Sequence, residues 1–367
     1  MENSNNENGN NENGASVFYP WARTFSYNAD VTMVISVRDR GKTFGIRMAA
    51  MDDAIKRGHR FVEVVRYKNE LPEVIAGYFD KLAMLDKFSS YEFRTEGRKG
   101  FYRPKANDTS KKSKEPWIPL CYFIALSEAQ NAKKRTYVDV RYIIFDEALI
   151  EPGLYLRYLP REWQVLANVV DTVTRESGTG EGIRPHLVMC SNSVDLVNPY
   201  FAAWGINDVP PVGYSWHANH HVLLHYEDPS DIPTDRSRTT LAGRMVAGTD
   251  EAKTALSNEF IHAVDDDIAP KPSGAKFWIG LVFRGQTFGI WIDWLEGFYY
   301  VTPKIPSDAR TVYSLTRKDN SANRLIARRA TPAMRALVQG YDERMLRFDS
   351  IATRESLLDA LSLFGVA

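Results

Sequence analysis

One early stretch restricts the fold more than any other. Val31-Thr32-Met33-Val34-Ile35-Ser36 is an apolar run of strand length, and Gly41-Lys42-Thr43 opens a helical pattern soon after it. A buried strand that turns through such a loop into a helix implies an α/β architecture with a parallel sheet. The loop suits the phosphates of a nucleoside triphosphate. Its backbone N–H groups would wrap them, the Lys42 ammonium would reach the outer ones, and the Thr43 hydroxyl would ligate Mg2+. The loop departs from the usual G-x-x-x-x-G-K-[ST] pattern: Ser36 stands at the first glycine, and Arg38, Asp39 and Arg40 make the interior bulky and charged. Asp39 sets a carboxylate near phosphates, which weakens binding unless it pairs with Arg38 or Arg40.

The remaining pattern extends this architecture. The helix after Lys42 carries Ile46, Met48, Ala49, Met51 and Ala54 before Gly58 stops it. Residues 60–66 read as a buried strand, 71–88 have helical periodicity, and 91–117 read as hairpins with a mobile tip at 106–114. Strands are expected at 119–126, 142–145 and 187–191, with an amphipathic helix over 161–175. The aromatic segment 18–25 is expected to pack near the loop. Residues 1–16, rich in Asn, Glu and Gly, read as a disordered tail, 17–228 as the first domain and 229–263 as a linker. In a second domain, 264–367, three antiparallel strands (276–283, 287–294, 297–301) precede a mostly helical 331–364.

At 367 residues the chain has room for two cores, and 44% hydrophobic with 25% charged residues is a soluble globular composition. No apolar run is long enough to span a bilayer and no signal peptide leads the chain. Cys121 and Cys190 lie inside apolar runs, so reduced core thiols and a cytosolic setting are expected. The formal net charge is zero, so any nucleic-acid surface must be local.

Two further motifs bear chemistry. Residues 141–145 form a strand that delivers Asp146 and Glu147 at its C-terminal end. Asp146 suits a Mg2+ ligand, and Glu147 a residue that orients and activates the attacking water. A second strand ends in Ser191-Asn192, where a polar side chain would lie beside the outermost phosphate and sense hydrolysis.

In this order the motifs resemble the DNA-encapsidation (genome-packaging) ATPases of short-tailed phages, the phi-twenty-nine type, relatives of the large terminase subunits. The resemblance is carried by residues 34–43, by Phe-Val-Glu-Val-Val-Arg-Tyr-Lys-Asn-Glu-Leu at 61–71, by Ile144-Phe145-Asp146-Glu147 and by Asp171-Thr172-Val173-Thr174-Arg175. It continues through Ser191-Asn192-Ser193, Asn198-Pro199-Tyr200-Phe201, Phe288-Gly289-Ile290-Trp291-Ile292-Asp293 and Arg347-Phe348-Asp349. It implies a P-loop NTPase domain of the additional-strand class, followed by a smaller α+β, RNase H-like domain whose nuclease is vestigial. It further implies an ATP-driven translocase of double-stranded DNA that packages a viral genome. The motor would be a homomeric ring, a pentamer by resemblance, in the host cytoplasm and transiently at the portal (connector) vertex of the procapsid. A packaging RNA is a further conceivable partner, and no membrane is involved.

The resemblance also assigns roles by position. Ser36, Arg38, Arg40, Gly41, Lys42 and Thr43 form the nucleotide loop, Lys42 is catalytic, and Thr43 with Asp146 holds the metal. Glu147 is the catalytic carboxylate, Asn192 the sensor, and Arg175 the arginine that reaches a neighbouring subunit's nucleotide. Lys133 or Lys134 matches a basic residue at that subunit interface, and Lys68 a basic loop that grips DNA phosphates in the ring's channel.

Weaker signals are left open. The segment His217-Ala218-Asn219-His220-His221 and His225 could ligate a metal, but strand alternation would put these histidines on different faces. Basic and aromatic residues interleave over 93–114, as in nucleic-acid-tracking hairpins and equally in solvated ones. Asp265, Asp266, Asp267, Asp293, Asp308 and Asp349 are the carboxylates an active terminase nuclease would draw on. The alternatives to a pure motor are therefore such a nuclease, or a non-enzymatic docking subunit with a decayed nucleotide fold.

Overall fold

The computed structural model describes residues 19–37, 40–106, 113–150, 157–177, 184–192, 196, 198–206, 209–228, 267–328 and 331–365. The chain packs as two compact units, Met1–Val194 with Pro210–Ile261, and Asp195–Val209 with His262–Ala367. The expected linker and the tail lie outside the described residues.

The first unit is built on a nine-stranded sheet of β1 (Val31–Ile35), β2 (Arg60–Val65), β3 (Tyr91–Glu96), β4 (Lys99–Pro104), β5 (Ile118–Ala125), β6 (Val140–Phe145), β7 (His186–Ser191), β8 (Gly213–His217) and β9 (Val222–Tyr226). Their order is β3-β4-β5-β2-β6-β7-β1-β9-β8. The six strands from β5 to β9 in that order run parallel, and antiparallel pairs close both edges. β1 has parallel neighbours on both sides, which accounts for its unbroken apolar sequence.

Helix α2 (Lys42–Arg57) follows the loop and buries Ile46, Ala50, Met51 and Ala54. It ends where Gly58, at φ +76°, donates its N–H to Ala54 O, with Lys56 and Arg57 beside the negative pole. The preceding α1 (Trp21–Ser26) is tied to the loop, as expected of the aromatic segment. Tyr19 N donates to Arg40 O at 3.0 Å and Trp21 Nε1 to Lys42 O at 3.0 Å. Cys121 and Cys190 are buried free thiols.

The helical periodicity of 71–88 misleads. Only α3 (Leu71–Ala76) is α-helical, and beyond Gly77 the chain proceeds by turns to a 3-10 segment at Asp86–Phe88. Leu85 N donates to Leu82 O and Phe88 N to Leu85 O. Successive tight turns thus set Phe79, Leu82, the partly buried Leu85 and Phe88 three residues apart against the core, which a sequence cannot distinguish from a helix face. The short α4 (Ala129–Ala132) follows β5, and α5 (Glu162–Ser177) precedes β7.

In the second unit, α6 (Pro199–Trp204) explains the Asn-Pro-Tyr-Phe motif. Asn198 is the N-cap, its side chain accepting from Tyr200 N at 3.1 Å and Phe201 N at 2.8 Å, Pro199 opens the first turn, and Tyr200 and Phe201 are fully buried. Residues 195–209, inside the expected 17–228 domain, therefore group with the C-terminal unit.

The sheet of this unit has β10 (Lys276–Phe283), β11 (Gln286–Asp293), β12 (Phe298–Thr302), β13 (Val312–Ser314), β14 (Leu325–Ile326) and β15 (Leu346–Phe348), in the order β14-β13-β10-β11-β12-β15. β10, β11 and β12 form the expected antiparallel meander; β13 is parallel to β10, β14 to β13 and β15 to β12. The expected helical stretch 331–364 is two helices, α7 (Pro332–Asp342) and α8 (Ile351–Leu361), separated by β15. Their apolar faces join Leu281, Phe288, Ile290, Val301 and Phe348 in one core.

Candidate functional site

Six parallel strands bring their C-terminal ends to one end of the first unit's sheet, the usual place for a ligand in an α/β protein. Ser36 follows β1, Arg66 follows β2, Asp146 and Glu147 follow β6, Asn192 follows β7 and Glu227 follows β9.

Gly41 precedes α2 in the left-handed region, at φ +67°, the conformation that wraps the loop back over the helix N-terminus. Lys42 is 7% exposed, and its ammonium donates to Ser36 O at 2.9 Å, Val37 O at 2.8 Å and Asn192 Oδ1 at 3.2 Å. These bonds engage all three ammonium donors and draw the expected sensor to the expected phosphate lysine. Burial lowers the Lys42 pKa to about 8, against the opposing pull of nearby Cys190, Glu227 and Asp146.

Thr43 Oγ1 donates to Asp146 Oδ1 at 2.6 Å, so the two expected metal ligands, 103 residues apart, meet directly. Both are hard oxygen donors, and adjacent ligands of an octahedral Mg2+ stand about 3 Å apart, so the pair fits that ion after a small opening. Glu147 is exposed and sits at φ +50°, a costly conformation for a non-glycine residue. Arg66 steadies this turn: Nη2 donates to Ala148 O at 2.7 Å, both Nη atoms approach Glu147 O at 3.4 Å, and Nε pairs with Glu162 at 3.0 Å.

Three features of the site escaped the sequence reading. Glu227 is 3% exposed and takes Arg40 Nε and Nη2, each at 2.8 Å, and the Ser36 hydroxyl. Ser36 and Arg40 thus turn their side chains to Glu227, which gives the serine at a glycine position a physical role. Arg66 with Glu162 is the second feature. Glu63 is the third: it lies buried in β2 and is bonded by Arg47 from α2 and by Tyr78 Oη at 2.8 Å. An apolar run ending in a carboxylate, as 222–227 does, is the one signal that could have drawn attention to Glu227. Arg38 and Asp39 lie outside the described residues.

The remaining predicted residues are dispersed over the first unit. Arg175 lies in the last turn of α5, 68% exposed and paired with Asp171 at 3.1 Å. Lys133 is exposed at the C-terminal end of α4. Lys68 follows β2, 66% exposed, with its ammonium 2.9 Å from Glu128.

The histidines go to separate partners, but not by strand alternation, because residues 218–221 form the turn between β8 and β9. His225 meets Tyr19 Oη at 2.6 Å, His221 meets Asp30 at 2.7 Å and His217 meets Ser215 at 2.9 Å. Among the described residues no group of three His, Cys, Asp or Glu could hold a metal. Two cations of the basic hairpin are neutralised within it: Arg94 pairs with Glu96 and Arg103 with Glu92, and both stack on Trp117 at 4.5 and 4.3 Å. Lys111 and Lys112 lie outside the described residues.

The family model for the podovirus DNA encapsidation protein (Gp16) matches residues 14–362. The chain belongs to this family. It is 30% identical over 329 residues to the DNA packaging protein of Bacillus phage B103, spanning 89% of this chain and 94% of that one. To the DNA packaging protein of Bacillus phage phi29 it is 29% identical over 341 residues, spanning 92% and 95%. A solved chain of the bacteriophage Phi-29 viral genome packaging motor assembly aligns with a TM-score of 0.65 at 26% identity, covering 94% of this chain and 100% of that one. A chain of the Phi-28 gp11 DNA packaging motor aligns with a TM-score of 0.66 at 18% identity, covering 95% and 98%, a likeness of fold alone. The chain is thus a phage DNA-packaging ATPase whose nucleotide is ATP. In this packaging ATPase no helix among the described residues is long and apolar enough to cross a membrane.

Proposed function

We propose that the chain is an ATP-driven translocase of double-stranded DNA, working as a homomeric ring, a pentamer, at the portal vertex of a procapsid assembled in the host cytoplasm. The observation that carries this is the 2.6 Å meeting of Thr43 with Asp146 beside a buried Lys42 that touches Asn192. The strand order supports an additional-strand P-loop domain, because β7 lies between the loop strand β1 and the carboxylate strand β6.

In this reading Lys42 and the N-terminus of α2 bind the phosphates, while Thr43 and Asp146 hold Mg2+. The ion, when bound, neutralises charge on the phosphate oxygens. Glu147 orients water, and its exposure leaves it room to reach one. Asn192, bonded to Lys42, is placed to register loss of the outer phosphate. Arg175 and Lys133, both exposed, act on a neighbouring subunit's nucleotide, and Lys68 contacts DNA phosphates without reading sequence.

The second unit supports an RNase H-like reading. Its strands β12-β11-β10-β13-β14 form an antiparallel meander continued by two parallel strands. A docking module on the portal or a packaging RNA is favoured over an active nuclease. Asp293 commits one carboxylate oxygen, Oδ1, to its own turn, accepting from Leu295 N at 2.9 Å and Glu296 N at 3.3 Å. Asp265 and Asp266 lie outside the described residues.

The test is Glu147→Gln. It should retain ATP in equilibrium binding and lose steady-state hydrolysis and packaging. Robust packaging by that variant would sink the mechanism.

A further inference from the structure

Lys68 does not stand alone. Glu128, at the end of the 3-10 turn after β5, is gripped from two sides: Lys68 Nζ lies 2.9 Å from Oε1, and Arg98 Nη2 lies 2.5 Å from Oε2. The three residues come from three segments whose backbones are independently fixed. Lys68 N donates to Ser127 Oγ at 3.0 Å, Ser127 N to Arg66 O at 3.0 Å, and Phe123 N to Arg98 O at 3.1 Å. Only the side chains need move for the grouping to open.

Arg98 also differs from its neighbours on the hairpin. Arg94 and Arg103 pair with acids of their own hairpin and stack on Trp117, whereas Arg98 reaches out to the loop beside Lys68. One carboxylate with two oxygens, each taken by a cation, has the form of a backbone phosphate with its two non-bridging oxygens.

We propose that Glu128 is a displaceable phosphate mimic: in the DNA-free chain it fills the place that a phosphate of double-stranded DNA takes between Lys68 and Arg98. Arg98 is then a second DNA-phosphate contact, and Glu128 an internal competitor that keeps both cations from binding nucleic acid at random. The exchange is feasible because Lys68 is largely solvated, so its ion pair is weak, while DNA binding gains from counterion release. Arg98 and Lys68 hold the Glu128 carboxyl below its ordinary range, so it competes as an anion at neutral pH.

This inference rests on the reading of Lys68 as a DNA contact, and the test separates the two. Binding of a labelled random-sequence duplex to the full chain, without nucleotide, is measured by anisotropy between 50 and 200 mM salt. Lys68→Gln should flatten the dependence of log K on log salt by about 0.9, roughly a 3.5-fold change across that range. Arg98→Gln should flatten it by a similar amount. Glu128→Gln should tighten binding about three- to tenfold at fixed salt; the gain should shrink when combined with Lys68→Gln and vanish when Arg98→Gln is added as well.

If Lys68→Gln leaves affinity and slope unchanged, the Lys68 reading fails and the inference falls with it. If Lys68→Gln behaves as expected, two results overturn the inference alone: no tightening in Glu128→Gln, or the same tightening with and without Lys68, which marks a general charge effect. Urea midpoints of all variants, and the conservative Arg98→Lys, which should restore part of the slope, guard against a folding artefact.

Discussion

Replacing Ser36 by glycine would restore the usual phosphate-loop pattern, and the structure predicts that it weakens the protein. The Ser36 side chain is fully buried and donates to Glu227, itself 3% exposed. A hydrogen bond to a buried charged group is worth about 1.5–3 kcal/mol. Arg40 keeps neutralising Glu227 through contacts at 2.8 Å, so the lower part of that range applies, about 1.5–2 kcal/mol. Ser36→Ala isolates this loss. Ser36→Gly adds roughly 0.5–1 kcal/mol of backbone entropy, for a total near 2–3 kcal/mol. At about 2–4 °C per kcal/mol for a domain of this size, the glycine variant should melt roughly 4–12 °C lower. Thermal unfolding of the full chain, with urea midpoints as a second measure, reads the stability. Titration with a fluorescent ATP analogue reads the loop, and no gain in affinity is expected. A glycine variant as stable as the wild type, or one that binds ATP more tightly, would refute the assignment of Ser36 and Arg40 to Glu227.

Lys42 gives a pH dependence. Its folded pKa is about 8 against an ordinary 10.5, so between those values the unfolded chain binds the extra proton and stability should rise with pH. The gain is worth about 3 kcal/mol, and the wild-type-minus-Lys42→Met difference in urea midpoints isolates it from tyrosines and cysteines that titrate in the same region. Glu63→Ala takes the buried partner from Arg47, which is itself 25% exposed and lies over the Tyr78 ring, and should cost about 3 kcal/mol in urea unfolding. Arg175→Ala removes a solvent-exposed pair worth only about 0.3–0.5 kcal/mol, so folding should be intact while ATPase activity falls by on the order of 10³–10⁵. Mixing Arg175→Ala with Glu147→Gln subunits should restore part of the turnover; no restoration at any ratio removes the trans assignment.

The legible parts of this chain are the central parallel strands. β1, β6 and β7 are flanked on both sides, so their sequences are largely apolar, and the polar residue that follows each run is a candidate site residue by position. Asp146, Asn192 and the loop through Thr43 were found in this way. What stayed hidden depended on partners distant in sequence. The Ser36–Glu227 bond spans 191 residues and Arg66–Glu162 spans 96, and no local pattern announces either. The turns after Gly77 imitate a helix face because they turn every third residue from Phe79 to Phe88 toward the core. β15 hides inside a helical stretch because three residues suffice for it to pair with β12.

Burial sorts the carboxylates at this end of the sheet into different tasks. Glu227 is enclosed and bonded by a hydroxyl and a guanidinium, and Glu162 is fully buried against Arg66; moving either would break a buried ion pair, so both serve as fixed struts. Asp146 is half-buried and faces a hydroxyl, the environment of a ligand that exchanges one oxygen partner for a cation. Glu147 alone of the four is exposed, on a left-handed backbone whose next carbonyl is pinned by Arg66 at 2.7 Å. That conformation costs on the order of 1–3 kcal/mol and persists only where neighbours enforce it. The struts therefore have a definite use. Arg66 and Glu162 hold the turn that carries Glu147, while Glu227 holds Ser36 and Arg40 of the loop, so the one exposed carboxylate of the four is the one the fold works to keep in a strained position.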